Sequence, residues 1–266
     1  LTPATPVTPP TLAEGRPVAD HGVMEERAEF REALLQVMER KHHWSSHHFA
    51  NGLVPRERFF IHFEQEYELF VRDFPILVAR AYIQCPIAAV RADLAANIFE
   101  EETGQLAAGR PHPELFLDIP RGFGCDMARF TSIELLDGAK RYRAILDHHT
   151  TGRGWCEAAA VTTLFIEGTA YERGELDATA PKRPMPPIEE HPLHRHYQVP
   201  LSSLTLPAVH RQVEGDHRAA AWRAVLEHTP VNEEGAVVAA MEACLQGWLA
   251  YKDSVASAVG IAPLTT

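Results

Sequence analysis

Apolar residues recur at intervals of three and four along almost the whole chain, and the strict alternation of a half-buried strand is sustained nowhere. The stretch MEERAEFREALLQVMER, near 24–40, carries one apolar stripe of helical period. RERFFIHFEQEYELFVRDFPILVARAY, across 55–82, carries a second, and Pro75 is expected to kink or split it. PIAAVRADLAANIFEEET, roughly 86–103, opens on Pro86 and stops at Gly104, the usual punctuation of a helix at both ends. Further helices are predicted over 112–124, closed by Gly122 and Gly124, and over 130–148 with Ser132 as the cap. The apolar run WCEAAAVTTLFIEGTAYERGELD predicts a buried helix over 154–177. A proline-rich connection, ATAPKRPMPPIEEHPLHRH, leads to two last helices near 203–228 and 233–257. LTPATPVTPPTLAEGRP has no period, so residues 1–22 are expected to form a flexible leader ahead of one domain over 23–260. The expectation is an all-α bundle of seven to eight helices, with no internal repeat.

Charge narrows the partners. A formal net charge of −11 and an isoelectric point near 5.7 argue against a nucleic-acid partner, which needs clustered Lys and Arg not offset by acids. No run approaches eighteen apolar residues and no basic-then-apolar leader opens the chain, so neither a membrane span nor a secretory signal is expected. Cys85, Cys125, Cys156 and Cys244 form no CxxC pair, which points away from a disulfide framework and toward a reducing cytoplasm. Histidine is the outlier, with fifteen residues, and it raises the prospect of metal.

Three places put a carboxylate or histidine where a helix should be buried. In VHRQVEGDHR, His210, Glu214 and His217 stand at i, i+4 and i+7, and at about 100° per residue they share one helical face. In ANIFEEETG, Glu101 lies one turn after Asn97, and His112 follows beyond a loop. In TTLFIEGTAY, Glu167 sits inside an apolar run, a costly position unless the carboxylate is paired, protonated or metal-bound. Three carboxylates with three histidines suit a pair of non-haem iron or manganese ions, because carboxylates can bridge two metals and neutralise their charge. The absence of cysteine near these positions argues against structural zinc.

The spacing of His, three residues, carboxylate, two residues, His in a late helix, with IEG in a mid-chain helix and NI..E ahead of a loop and a histidine, resembles the haem-oxygenase-like diiron oxidases and oxygenases. The resemblance covers most of residues 25–255, and the late triplet is its specific part. It implies a haem-oxygenase-like helical bundle, two Fe(II) ions with manganese as the alternative, and O2 as co-substrate. The implied substrate is a small amino-acid- or amine-derived metabolite of specialised biosynthesis, changed by N-oxygenation or by oxidative C–C cleavage. Carried over, Glu101, His112 and His210 correspond to ligands of one iron or the bridge, and Glu167, Glu214 and His217 complete the pair. Two departures stand out: Glu214 occupies a position that is usually Asp, and the run Glu100, Glu101, Glu102 leaves Glu102 as the alternative to Glu101.

Two other readings fit the same residues. The fold also houses cofactor-independent enzymes, related to pyrroloquinoline-quinone synthase and thiaminase II, in which His and Glu would do acid–base work. A non-enzymatic helical protein that merely binds metal, or shows a solvated His/Glu face, is the other. Glu167 could pair with Arg173, and His112 could simply open a helix after Pro111. HHWSSHHF, residues 42–49, is expected at the surface or at a substrate entrance, and HPLHRH, residues 191–196, in a loop that could cover the site. RGFGCD lacks the strand that a phosphate loop needs. Helix phase suggests that Phe63, Tyr67, Phe165 and Tyr171 line the substrate pocket, and a homodimer is compatible with the composition.

Overall fold

In the computed structural model the described residues are 27–105, 108–181 and 183–264, and the side chains of 210–217 lie outside that set. The expected leader, residues 1–22, lies outside it too. Among the described residues there is no strand, and twelve α-helices follow one another. They are α1 (Ala28–Glu39), α2 (Ser45–Ala50), α3 (Phe60–Glu66), α4 (Phe74–Gln84), α5 (Ala88–Thr103), α6 (His112–Phe123), α7 (Asp137–Thr150), α8 (Trp155–Ala159), α9 (Glu172–Leu176), α10 (Pro192–Tyr197), α11 (Thr205–His228) and α12 (Glu234–Val259).

The count exceeds seven to eight because two predicted helices are interrupted and two short ones, α2 and α10, form where none was predicted. Pro75 sits in the first turn of α4, where a missing N–H costs nothing, so the 55–82 segment splits there. Ahead of it the backbone loosens into a π turn over Tyr67–Val71. The 154–177 run is likewise α8, then a π segment over Ala160–Ile166, then the short α9. HPLHRH folds into α10 rather than a loop. HHWSSHHF is not wholly at the surface, since His43 and His48 are buried beside α2.

The helix predicted from 130 with a Ser132 cap starts instead at Asp137, after a 3-10 turn over Met127–Thr131. The reason is tertiary. Buried Gln65 accepts from the Leu136 N–H (2.7 Å) and donates to the Glu134 carbonyl (3.0 Å), so a side chain from α3 supplies the cap.

The 26-residue α12 is the spine, packed along α7 and against α1, α3 and the second π segment. Close approach of α7 to α12 depends on Gly138, where a Cβ would meet the Ala250 carbonyl at 2.5 Å and Ser254 Oγ at 2.2 Å. Because one of these neighbours is backbone, Gly138→Ala is expected to push the helices apart and cost about 2 kcal/mol, despite Ala's better helix propensity. Urea unfolding monitored by circular dichroism checks this, and an unchanged midpoint would show that the helix pair gives way freely. No described helix is long and apolar enough to cross a membrane.

Candidate metal centre

The predicted ligands come from four neighbouring elements. α5 ends at Gly104, whose φ of 60° is open to glycine, and the chain returns so that α6 begins at His112. His112 is only 3% exposed. Its Nδ1 lies 2.8 Å from Glu101 Oε1 and its Nε2 lies 3.5 Å from Glu100 Oε1. Burial disfavours the charged ring, but the hydrogen bond and charge of Glu101, then those of Glu100, outweigh it and raise the His112 pKa above the ordinary histidine value.

Glu100, part of the run from which the sequence reading chose Glu101, is 0% exposed. A residue three positions after Asn97 stands about 60° to one side of it on the helix and one four positions after stands about 40° to the other, so both glutamates flank the same face. Glu102, the alternative ligand, is exposed.

Glu167 sits where the second π segment ends, with its N–H donating to the Thr162 carbonyl (3.4 Å) five residues back. Asn97 Nδ2 donates to Glu167 Oε1 at 3.0 Å, which ties the π end to the face of α5 that carries Glu100 and Glu101. Arg173, the alternative partner of Glu167, instead bridges Glu32 and Glu39. Lys41 holds the turn from the other side: its Nζ donates to the carbonyls of Phe165 (2.5 Å), Ile166 (3.2 Å) and Gly168 (2.7 Å).

α11 closes the arrangement, packing against α5, α6 and the second π segment. Its C-terminal half is pinned to the turn after Glu167: Trp222 Nε1 donates to Glu172 Oε2 (2.8 Å), and Arg218 Nε lies 3.3 Å from Glu172 Oε1. The Thr169 N–H also donates to Glu172 (2.7 Å). Burial raises the Glu172 carboxyl above its ordinary pKa, and Arg218 works against that rise. His210, Glu214 and His217 all lie on α11, while their side chains are outside the described residues.

The four aromatic residues expected to line a pocket differ in their settings. Tyr171 is 59% exposed, and Phe165 is buried in the core beside Tyr142 and under Lys41. Tyr67 stacks on Phe116, and Phe63 borders a cavity. At Phe165 the apolar stripe serves the core.

Among the described residues no three His, Cys, Asp or Glu side chains are closed around one metal position. The donors that do converge are nevertheless the right kind. Glu100 and Glu101 face one imidazole, and Glu167 is held by a neutral amide. Carboxylate oxygen with imidazole nitrogen suits Fe(II) or Mn(II), and a cation there would offset the cost of burying these carboxylates. The model for iron-containing redox enzymes matches residues 61–249, which takes in every one of these positions. The chain belongs to that family. Membership accords with the all-helical, haem-oxygenase-like architecture and makes the protein an iron-containing oxidoreductase in the broad sense. A search among curated proteins returned no match.

Proposed function

We propose that this member of the iron-containing redox family is a non-haem diiron oxidoreductase that uses O2 to transform a small amine- or amino-acid-derived metabolite. The observation that supports it is the convergence of buried Glu100 and His112 and partly buried Glu101 with Asn97-held Glu167, on elements packed against the helix that carries His210, Glu214 and His217. Those residues would hold the metal: Glu100, His112 and Glu167 together with the three of α11. Ferrous iron bound there would supply electrons to O2. The chain's own residues do the rest: Asn97 fixes the Glu167 carboxylate, Lys41 fixes the backbone beneath it, and the buried surroundings restrict water.

The two glutamates beside His112 divide the work. A ligating imidazole commonly donates its second N–H to a carboxylate, which fixes its tautomer and orientation. Glu101, at 2.8 Å from Nδ1, has that position, and Glu100, on the Nε2 side, has the position of a co-ligand. This differs from the assignment of Glu101 as the ligand. Glu100→Ala is accordingly expected to remove one iron equivalent, whereas Glu101→Gln keeps both and weakens binding by roughly 10–100-fold.

Anaerobic Fe(II) titration followed by O2, watched by absorbance and Mössbauer spectroscopy, tests the whole reading on the wild type and on His112→Ala, Glu167→Ala and His210→Ala. Two equivalents in the wild type and a loss in each variant are the expected result. No uptake by the wild type at micromolar iron would overturn the proposal in favour of metal-independent acid–base chemistry.

A further inference from the structure

Away from these residues a cavity of about 350 Å³ opens between α2, α3, the start of α10 and α12, a volume suited to a small organic ligand. Glu100, Glu101, His112 and Glu167 are not among its walls. One side is aromatic. Phe49 meets Phe59 edge to face at 5.3 Å between centroids, and Phe59 meets Phe63 at 4.9 Å. Such a cluster accepts a further ring in the same edge or tilted geometry.

The other side is charged and only partly satisfied. His62 Nε2 lies 3.1 Å from Glu66 Oε2, and burial brings the His62 pKa down to about 4, so the ring is neutral beside that oxygen. Lys252 Nζ stands 3.9 Å from the other carboxylate oxygen, beyond hydrogen-bond reach, and lies over the rings of Tyr251 (5.0 Å) and Trp248 (5.6 Å). Its donors are therefore not used up by Glu66. Behind the wall Lys41 acts on the same carboxylate, while Glu172, the other acid near Lys41, is engaged by Arg218. Among the described residues Lys252 thus keeps donors that no acceptor engages, in a half-buried setting where charge is poorly screened. A polar, ionised wall around an open space is an expensive use of interior surface unless a ligand completes it.

We propose that this cavity binds a small aromatic carboxylate, with its anionic end on Lys252 and its ring against Phe49, Phe59 and Phe63. The site uses none of the residues assigned to iron, so it is tested on the metal-free full-length chain. Isothermal titration calorimetry would compare phenylacetate with 2-phenylethanol and phenethylamine, which share its ring but are neutral and cationic. Phenylacetate is expected to bind roughly tenfold or more tightly than either, and Lys252→Met to bring it down to the level of the alcohol. Ser46→Trp, at the exposed rim of the cavity, is expected to abolish binding while the circular dichroism spectrum stays that of the wild type. The proposal is overturned if the alcohol or amine binds as tightly as the acid, if either variant binds phenylacetate as the wild type does, or if no binding is seen up to about 10 mM.

Discussion

Lys41→Met is expected to weaken one of the two iron equivalents by roughly 10–100-fold and to cost about 3 kcal/mol of folding stability. Lys41 stands more than 120 residues from Glu167 in sequence, yet its ammonium gathers the carbonyls of Phe165, Ile166 and Gly168 on either side of that glutamate. These carbonyls lie where the π segment ends, and a helix end leaves acceptors that need a donor or a cation. A methionine of similar length fills the space and supplies neither. The turn is then free to rotate, and the Glu167 carboxylate loses the fixed position in which it accepts from Asn97. Burial, then repulsion from Lys252, brings the Lys41 pKa down to about 7, so the side chain is costly to keep and its retention reflects what it holds. Fe(II) titration of the variant, run well below its unfolding midpoint, separates the two effects. Wild-type affinity for both equivalents would refute a positioning role even if stability fell. Failure of the Glu167→Ala control to lose iron would instead refute the ligand assignment.

Acidification from pH 6.5 to 4 is expected to cost the fold on the order of 3 kcal/mol through His62 alone. His62 is 17% exposed, and burial depresses its pKa from 6.5 to about 4. Above pH 6.5 the ring is neutral in both the folded and unfolded chains and contributes no slope. Between 6.5 and 4 the unfolded chain takes up a proton that the folded chain does not, so stability falls as pH falls, and the loss is complete near pH 4. Glu66 acts in the same direction at lower pH. Burial would raise its pKa, but His62, Lys252 and Lys41 together hold it below the ordinary value, and that stabilisation is lost as the carboxylate is protonated. His62→Gln keeps a donor for Glu66 without an ionisable ring. Urea midpoints at pH 7 and pH 4 should therefore differ less in the variant than in the wild type, and equal differences would show that His62 is not the proton-linked group.

Much of the architecture was legible because the long helices have consistent local signals. Gly104 closes α5, and Pro75 splits the second predicted helix as its missing N–H requires. Short helices and π segments were not legible. α10 lies in a stretch dense in proline and histidine, and a π turn differs from an α turn by one hydrogen-bond step that residue types do not encode. The same limit applied at the metal centre. Glu101, His112 and Glu167 stood out as polar groups in helical patterns, but Glu100 and Glu101 share a face equally well, and only the position of His112 separates them. Among the proposed pocket aromatics Phe63 borders a cavity and Phe165 the core, because an apolar stripe marks burial without saying which of the two it faces.

The sequence by itself determined that the chain is helical, where its long helices lie and which polar residues interrupt their apolar faces, because these depend on period and on neighbours within one or two turns. Tertiary structure alone decided that Gln65 caps α7, that Lys41 and Asn97 hold the Glu167 turn, and that Lys252 and Glu66 meet at a cavity. Each of these joins positions about 70 to nearly 190 residues apart. Such contacts form only when separate helices pack, and no local pattern in the chain records which partner the packing will supply.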